Sequence, residues 1–361
     1  MDRIEWVIAS CRLLREIGSE LERTRPFAGL TIGTGIHLEP KTVALLLTLQ
    51  RGGAELVSTG NLNTTQAEAV SYLRERGVQV MGGPTSDPEE HAANLRAVAA
   101  ARPQLLLDNG GDLFALHLEE PWDGLLGGTE ETTSGRMRLE PLRDRLALPL
   151  LVINDSPIKQ FAENEHAVGQ SVLESFMRLT NRSTNGKRVT VFGYGACGRG
   201  VAANFRNAYA VVSVVEADPV KRLQAQLDGF LVPDREEALR TADVVITVTG
   251  ARDVVTAADV PLLKDGAVLA NAGHFPVELE AAGIEAAAEG RVTVLEGGHM
   301  VNLSGPRPLG NSIESMDLGF ALQVRCLEAV ATGAVGPEAC VVPVPRAIDD
   351  AVAAAFVRLT A

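Results

Sequence analysis

The stretch TVFGYGACGRG, residues 190–200, decides the fold. An apolar strand runs into Gly193-Tyr-Gly195-Ala-Cys-Gly198 and out into a helix-like run, RGVAANFRNA. In such a turn one glycine permits the tight bend. Another lets backbone N–H groups approach a pyrophosphate, and another lets the helix pack on the strand. Three glycines alone are a weak signal, but here a second apolar strand follows, VVSVVE. It ends at Glu216, 23 residues after Gly193, where an acid takes the two ribose hydroxyls of NAD and repels the 2′-phosphate of NADP. The expectation is a Rossmann-like unit that binds NAD.

On both sides of this turn, apolar runs alternate with helical patterns. Strands are expected at 30–35, 54–59, 78–81, 104–108 and 148–154, then at 188–195, 210–216, 243–249, 267–273 and 292–298. Apolar strands that alternate with amphipathic helices imply parallel sheets covered on both faces. The fold class is therefore α/β, with two doubly wound parallel-sheet domains. The expected organisation is a first part of a substrate domain (1–165), an inserted NAD domain (166–309) and a C-terminal segment (310–361) that returns to the substrate domain. The run from about 164 to 182 would connect the two domains, and a helix from PRAIDDAVAAAFVRLTA would pack back on the first.

The bulk composition narrows the function. A chain of 361 residues exceeds what one core usually serves. A net charge of −13 argues against nucleic-acid or acidic-membrane partners, which call for a basic surface. Cys11, Cys197, Cys326 and Cys340 form no CxxC pair and no zinc-spaced cluster, so no metal is expected and a reducing cytoplasm is the simplest setting. The N-terminal MDRIEWVIASCRLLREIGSELERTRP reads as one amphipathic helix, without the apolar core of a signal peptide. No apolar run is long enough to span a bilayer.

In INDSPIKQFAEN (153–164), Lys159 precedes Glu163 by four residues, which on an exposed helix would be an ion pair worth a few tenths of a kcal/mol. Together with TRPFAGLTIGTGIHLEPKT (24–42), GNLNTTQAEAV (60–70), LLLDNGGDL (105–113), GGTEETTSGRMRL (127–139) and NAGHFPVELE (271–280), it resembles the S-adenosyl-L-homocysteine hydrolase family, in order and over nearly the whole chain. The resemblance implies a nucleoside substrate and internally recycled NAD. The 3′-hydroxyl is oxidised, the acidified C4′ proton is removed, the 5′ substituent leaves, water adds, and the ketone is reduced again. It implies catalytic roles for His37, Asn109, Glu131, Lys159, Glu163 and His274, with Lys159 and Glu163 on the 3′-oxygen. At the cofactor it implies Thr132, Thr133, Ser134, Asn164, Gly193, Gly195, Cys197, Gly198, Glu216, Thr249, Asn271, Gly273 and Asn302. At the substrate it implies Glu39, Lys41, Asn154 and Asn311. It also implies a homo-dimer or homo-tetramer. Asp112 is read as a helix cap first.

The departures from the family pattern have their own logic. Asn109 stands where the family has an aspartate near C5′, and an amide is neither acid nor base at ordinary pH. Glu39 and Lys41 replace a threonine and a glutamate near the base. Asn311 replaces a histidine in VNLSGPRPLGNSIES (301–315), a loop stiffened by Pro306 and Pro308. Lys221 replaces an asparagine at the cofactor. The family's terminal Lys and Tyr have no counterpart, so weaker cofactor retention is expected. The oxidation and elimination residues are spared. The expected activity is a diverged nucleoside dehydratase or lyase that gives a 4′,5′-unsaturated product in specialised metabolism. The alternative is an authentic adenosylhomocysteinase.

Overall fold

The structure is a computed structural model that describes residues 2–361. The chain divides into two units. One is the chain up to Gln160 together with Ile313–Ala361, and the other is Phe161–Ser312.

The first unit holds seven parallel strands: β1 (Thr31–Ile36), β2 (Glu55–Gly60), β3 (Gln79–Met81), β4 (Leu105–Asp108), β5 (Gly127–Glu130), β6 (Leu150–Val152) and, after the second unit, β12 (Cys340–Pro343). Their order is β12-β6-β5-β4-β1-β2-β3. The chain winds outward from β1 through β2 to β3, then returns to β4 and winds the other way. The topological switch point lies between β1 and β4, whose carboxyl ends are where open α/β sheets take ligands. The second unit holds β7 (Arg188–Phe192), β8 (Val211–Val215), β9 (Val244–Thr247), β10 (Val268–Asn271) and β11 (Thr293–Val294), in the order β11-β10-β9-β7-β8. Its switch point lies between β7 and β9. A buried layer lies on each face of this sheet: Val189, Val191 and Phe205 belong to one, Val245, Leu269 and Ile284 to the other.

Ten strands sit where the apolar runs place them, and β5 and β12 escaped the sequence pattern. Strand β5 reads GGTE because a Cβ on Gly128 would lie 1.9 Å from the Leu106 carbonyl oxygen on β4. Strand β12 is a bulged edge strand with Val341 at φ 52°. Two local expectations are corrected. The N-terminal helix is two helices, Arg3–Ser10 and Arg12–Thr24, parted at buried Cys11. Asp317 takes the Leu13 and Leu14 N–H groups at 2.8 and 3.0 Å. Asp112 does not cap its helix; Asp108 does, accepting from Leu113 and Phe114 at 2.9 and 3.1 Å. Lys159 and Glu163 lie away from the exposed-helix setting that spacing alone would suggest. Both are buried, and their segment Lys159–Ala167 is π-helical, a form that recurs at functional sites. The C-terminal helix Arg346–Thr360 belongs to the first unit, tied by Arg12 to the Leu359 carbonyl at 2.8 Å.

Burial pushes Asp317 up to about 6 and Asp108 up to about 7. Each binds a proton more readily folded than unfolded. Stability therefore rises as pH falls through these values and is lost as pH rises through them. Glu20, held low by its hydrogen bond to Arg325, opposes this only at lower pH. The urea midpoint is expected to be higher at pH 5.5 than at pH 7.5, by on the order of 1–2 kcal/mol in stability. Asp317→Asn should remove its share. An equal or lower midpoint at pH 5.5 would refute the assignment.

Candidate active site

In the first unit, site residues follow strand ends. His37 comes directly after β1, Asn61 after β2, Asn109 after β4 and Glu131 after β5, with Asn154 two residues past β6. One hydrogen-bonded chain links three of them. Asn61 Nδ2 donates to Asn109 Oδ1 at 3.0 Å, and Asn109 Nδ2 donates to Glu131 Oε2 at 2.8 Å. The other Glu131 oxygen lies 3.9 Å from Lys159 Nζ, both side chains being buried. The two contacts fix which way the Asn109 amide points. Glu131 thus accepts from the Asn109 amide on one side and faces Lys159 Nζ on the other. His37 Nδ1 lies 2.6 Å from Thr64 Oγ1, which orients the ring. Thr133 donates to Asn154 at 3.0 Å, and Ser134 Oγ lies 3.0 Å from Thr132 Oγ1. Asn61 and Thr64 are missing from the sequence-derived set. Their signal was GNLNTTQ itself, since polar residues directly after a strand lie where ligands bind. Glu39 and Lys41 form a buried ion pair at 2.7 Å.

The second unit places Gly193, Gly195, Cys197 and Gly198 at the end of β7 and the start of the helix Ala196–Asn207. Gly193 has φ 101°, a conformation costly for any other residue. A Cβ on Gly198 would lie 2.1 Å from the Gly193 oxygen, whereas one on Gly195 would meet nothing within 4 Å. No side chain caps this helix, so its first-turn N–H groups are open to an anion. Glu216, at the end of β8, accepts from Tyr194 N–H at 2.7 Å and is thereby aimed at the turn. Asn302 is buried. Its Nδ2 donates to Ser171 at 3.0 Å, and its Oδ1 has no hydrogen-bond partner among the described residues. An orphaned acceptor here suits the carboxamide of a nicotinamide. Turn, open helix end, acid and orphan acceptor together fit NAD.

Asn271 and Thr249 are hydrogen-bonded within the turns they belong to. Asn271 is fully buried, and its Nδ2 donates to the carbonyls of Gly273, Phe275 and Gly298 while its Oδ1 accepts from Gly273 N–H at 2.7 Å. It shapes the turn that carries His274, which is half-buried against Phe275 at 4.5 Å. Thr249 gives both its N–H and its hydroxyl to buried Glu278, each at 2.8 Å. Gly273 packs there too, since a Cβ on it would lie 1.8 Å from Glu278 Oε1. Asn311 reaches the same Ser171 hydroxyl as Asn302, at 3.1 Å, so Ser171 is a bridge the sequence did not reveal. Glu163 is buried and Asn164 half-buried at the start of this unit.

Comparisons with known proteins bear on the family. The S-adenosyl-L-homocysteine hydrolase profile matches residues 8–123, and the NAD-binding domain of that family matches residues 164–307. Adenosylhomocysteinase from Thermotoga maritima is 41% identical over 345 residues, covering 89% of this chain and 85% of that protein. The chain belongs to the S-adenosyl-L-homocysteine hydrolase family. S-inosyl-L-homocysteine hydrolase from Methanothermobacter thermautotrophicus is 38% identical, covering 89% of this chain and 82% of that protein. Adenosylhomocysteinase from Pyrococcus abyssi is also 38% identical, covering 98% and 89%. Among solved structures, a putative D-3-phosphoglycerate dehydrogenase from Ralstonia solanacearum aligns at a TM-score of 0.48 and 16% identity, covering 84% of this chain and 95% of that one. As a member of this family the chain is an NAD-dependent enzyme. Among the described residues no group of His, Cys, Asp and Glu could hold a metal ion, and no helix is long and apolar enough to cross a membrane.

The glycines give a test. Gly195→Ala should leave the stability of the cofactor-free protein within about 0.5 kcal/mol, because the methyl meets no protein atom. It should weaken NAD binding by about tenfold or more, because it fills the cradle. Gly198→Ala should damage both, since its methyl strikes the turn. Calorimetric melting with and without NAD separates the two. Equal NAD affinity in Gly195→Ala and the wild type would move the cofactor off this turn.

Proposed function

We propose that this chain converts a nucleoside into its 4′,5′-unsaturated derivative by transient 3′-oxidation, C4′ deprotonation and loss of the 5′ substituent, without adding water. With a 5′-hydroxyl as leaving group, the net reaction is dehydration. Gly193, Gly195, Gly198, Glu216 and Asn302 would hold NAD, which would supply reversible hydride acceptance for C3′. Lys159 takes the 3′-hydroxyl proton and its ammonium stabilises the alkoxide. Glu131 binds the sugar hydroxyls and fixes Lys159. Resemblance to the family assigns Asn154, His37, Glu163 and His274 to the same reaction.

One observation carries the arrest after elimination: the Asn109 amide. Its oxygen is occupied by Asn61 and its nitrogen donates to Glu131. It offers no proton to an alkene carbon and activates no water. Glu39 and Lys41, a buried ion pair near His37 in sequence, add a change in base recognition. Such pairs cost desolvation energy and are weak evidence of stability alone.

The second reading is hydrolysis of an S-nucleosyl-homocysteine thioether. It is favoured by the names of the relatives, adenosylhomocysteinase and S-inosyl-L-homocysteine hydrolase. One mass-spectrometric assay separates the two. Protein with NAD is given S-adenosylhomocysteine or S-inosylhomocysteine in one set of tubes and free nucleosides, including those with six-carbon sugars, in another. A product 18 mass units below a nucleoside, with no homocysteine released, supports elimination. Homocysteine with an intact nucleoside supports hydrolysis and ends the dehydratase reading.

A further inference from the structure

We propose that Glu130, which neither reading uses, is a positioning residue. Its side chain is a buried clamp that sets the spacing of the loops carrying Asn109 and Glu131. Its effect on turnover rests on the reaction proposed above; the clamp itself does not.

Glu130 is the last residue of β5, paired in register with Asp108 on β4, and is fully buried. Its carboxylate reaches into both loops at once. From the β4 loop it accepts Gly110 N–H at 3.1 and 3.2 Å and Gly111 N–H at 2.9 Å. From its own loop it accepts Thr132 N–H at 2.7 Å and Thr132 Oγ1 at 2.6 Å. Gly110 and Gly111 have φ of 114° and 76°. Two successive residues in that region turn their N–H groups toward one carboxyl group, and only glycine adopts it without strain. Gly135 completes the receptor, because a Cβ there would lie 2.2 Å from the Glu130 carboxyl carbon. The glycine pair of LLLDNGGDL and the final glycine of GGTEETTSG are thus two halves of one seat.

The seat is adjacent in sequence to the residues that matter. Asn109 precedes Gly110 and Glu131 follows Glu130, so the 2.8 Å contact between Asn109 and Glu131 sits beside the clamp. A merely local loop support would bond its own loop only; this one bridges segments about twenty residues apart. Its donors come from both loops, and its side chain is fully buried. It acts through Asn109 and Glu131.

The test joins hydrogen exchange with kinetics. In Glu130→Gln, peptides covering 109–114 and 131–136 should both exchange faster. The kcat should fall by about 10–100-fold, the loss expected of a misplacement near 1 Å, with a smaller change in KM. Gly135→Ala keeps the carboxylate and displaces it. It should loosen the same two segments, and it provides the answer should Glu130→Gln not fold. Unchanged exchange at 109–114 in the folded variant would overturn the clamp. Faster exchange in both segments at wild-type kcat would overturn its positioning role. Exchange needs no substrate, so faster exchange in both segments, with no wild-type turnover on any nucleoside, supports the clamp and overturns the proposed reaction.

Discussion

Lys159→Ala should lower turnover by about 10³- to 10⁴-fold while NAD still binds. Lys159 is buried at the start of the π-helical segment, its Nζ 3.9 Å from Glu131 Oε1. General acid–base catalysis alone is worth about 10²–10⁴-fold, and losing the cation beside a developing alkoxide adds to it. Fold and cofactor should survive. Glu131 keeps its Asn109 donor, and the glycine turn, Glu216 and Asn302 lie in the other unit. Turnover is read by product mass and NAD by titration of the purified protein. Unchanged turnover would remove Lys159 from the chemistry. Loss of NAD together with turnover would make it a structural residue.

Asn109→Asp should change the product and not merely the rate. The new carboxyl would lie about where the amide now meets Glu131, at 2.8 Å. Two carboxylates that close do not both stay charged, so one takes up a proton. Asn61 Nδ2 can still donate to the new side chain. The pair then holds an acid–base group where the wild type has an inert amide. The expected result is a hydrated product, or thioether hydrolysis with released homocysteine, at the expense of the unsaturated nucleoside. The activity should also gain a pH dependence from the shared proton. An unchanged product spectrum would mean that Asn109 does not stop water addition and that the arrest must be sought elsewhere.

The alternation of strands and helices was legible because it is local. A strand buried on both faces is an apolar run, and a helix closed by glycine marks its own end. The nucleotide turn was legible for the same reason: strand, glycines, helix, strand and acid follow one another within 27 residues, 190–216. The site residues of the first unit were named through a family pattern, and the fold gives a physical reason for their placement at strand ends around a switch point. What escaped was non-local. Strand β5 looks unlike a strand because its glycines answer to the Leu106 carbonyl on a neighbouring strand. Asn61 joins the site only because β2 and β4 flank β1.

The sequence by itself determined an α/β chain with an NAD turn, and it flagged Asn109 as the residue out of pattern. Only the tertiary structure decided how that amide points, that Asn271 and Thr249 hold turns, and that Glu130 ties two loops together. Those outcomes depend on hydrogen bonds between segments separated by about twenty residues or more. A buried polar group must find partners wherever the fold brings them, and nothing in its own neighbourhood of sequence says which.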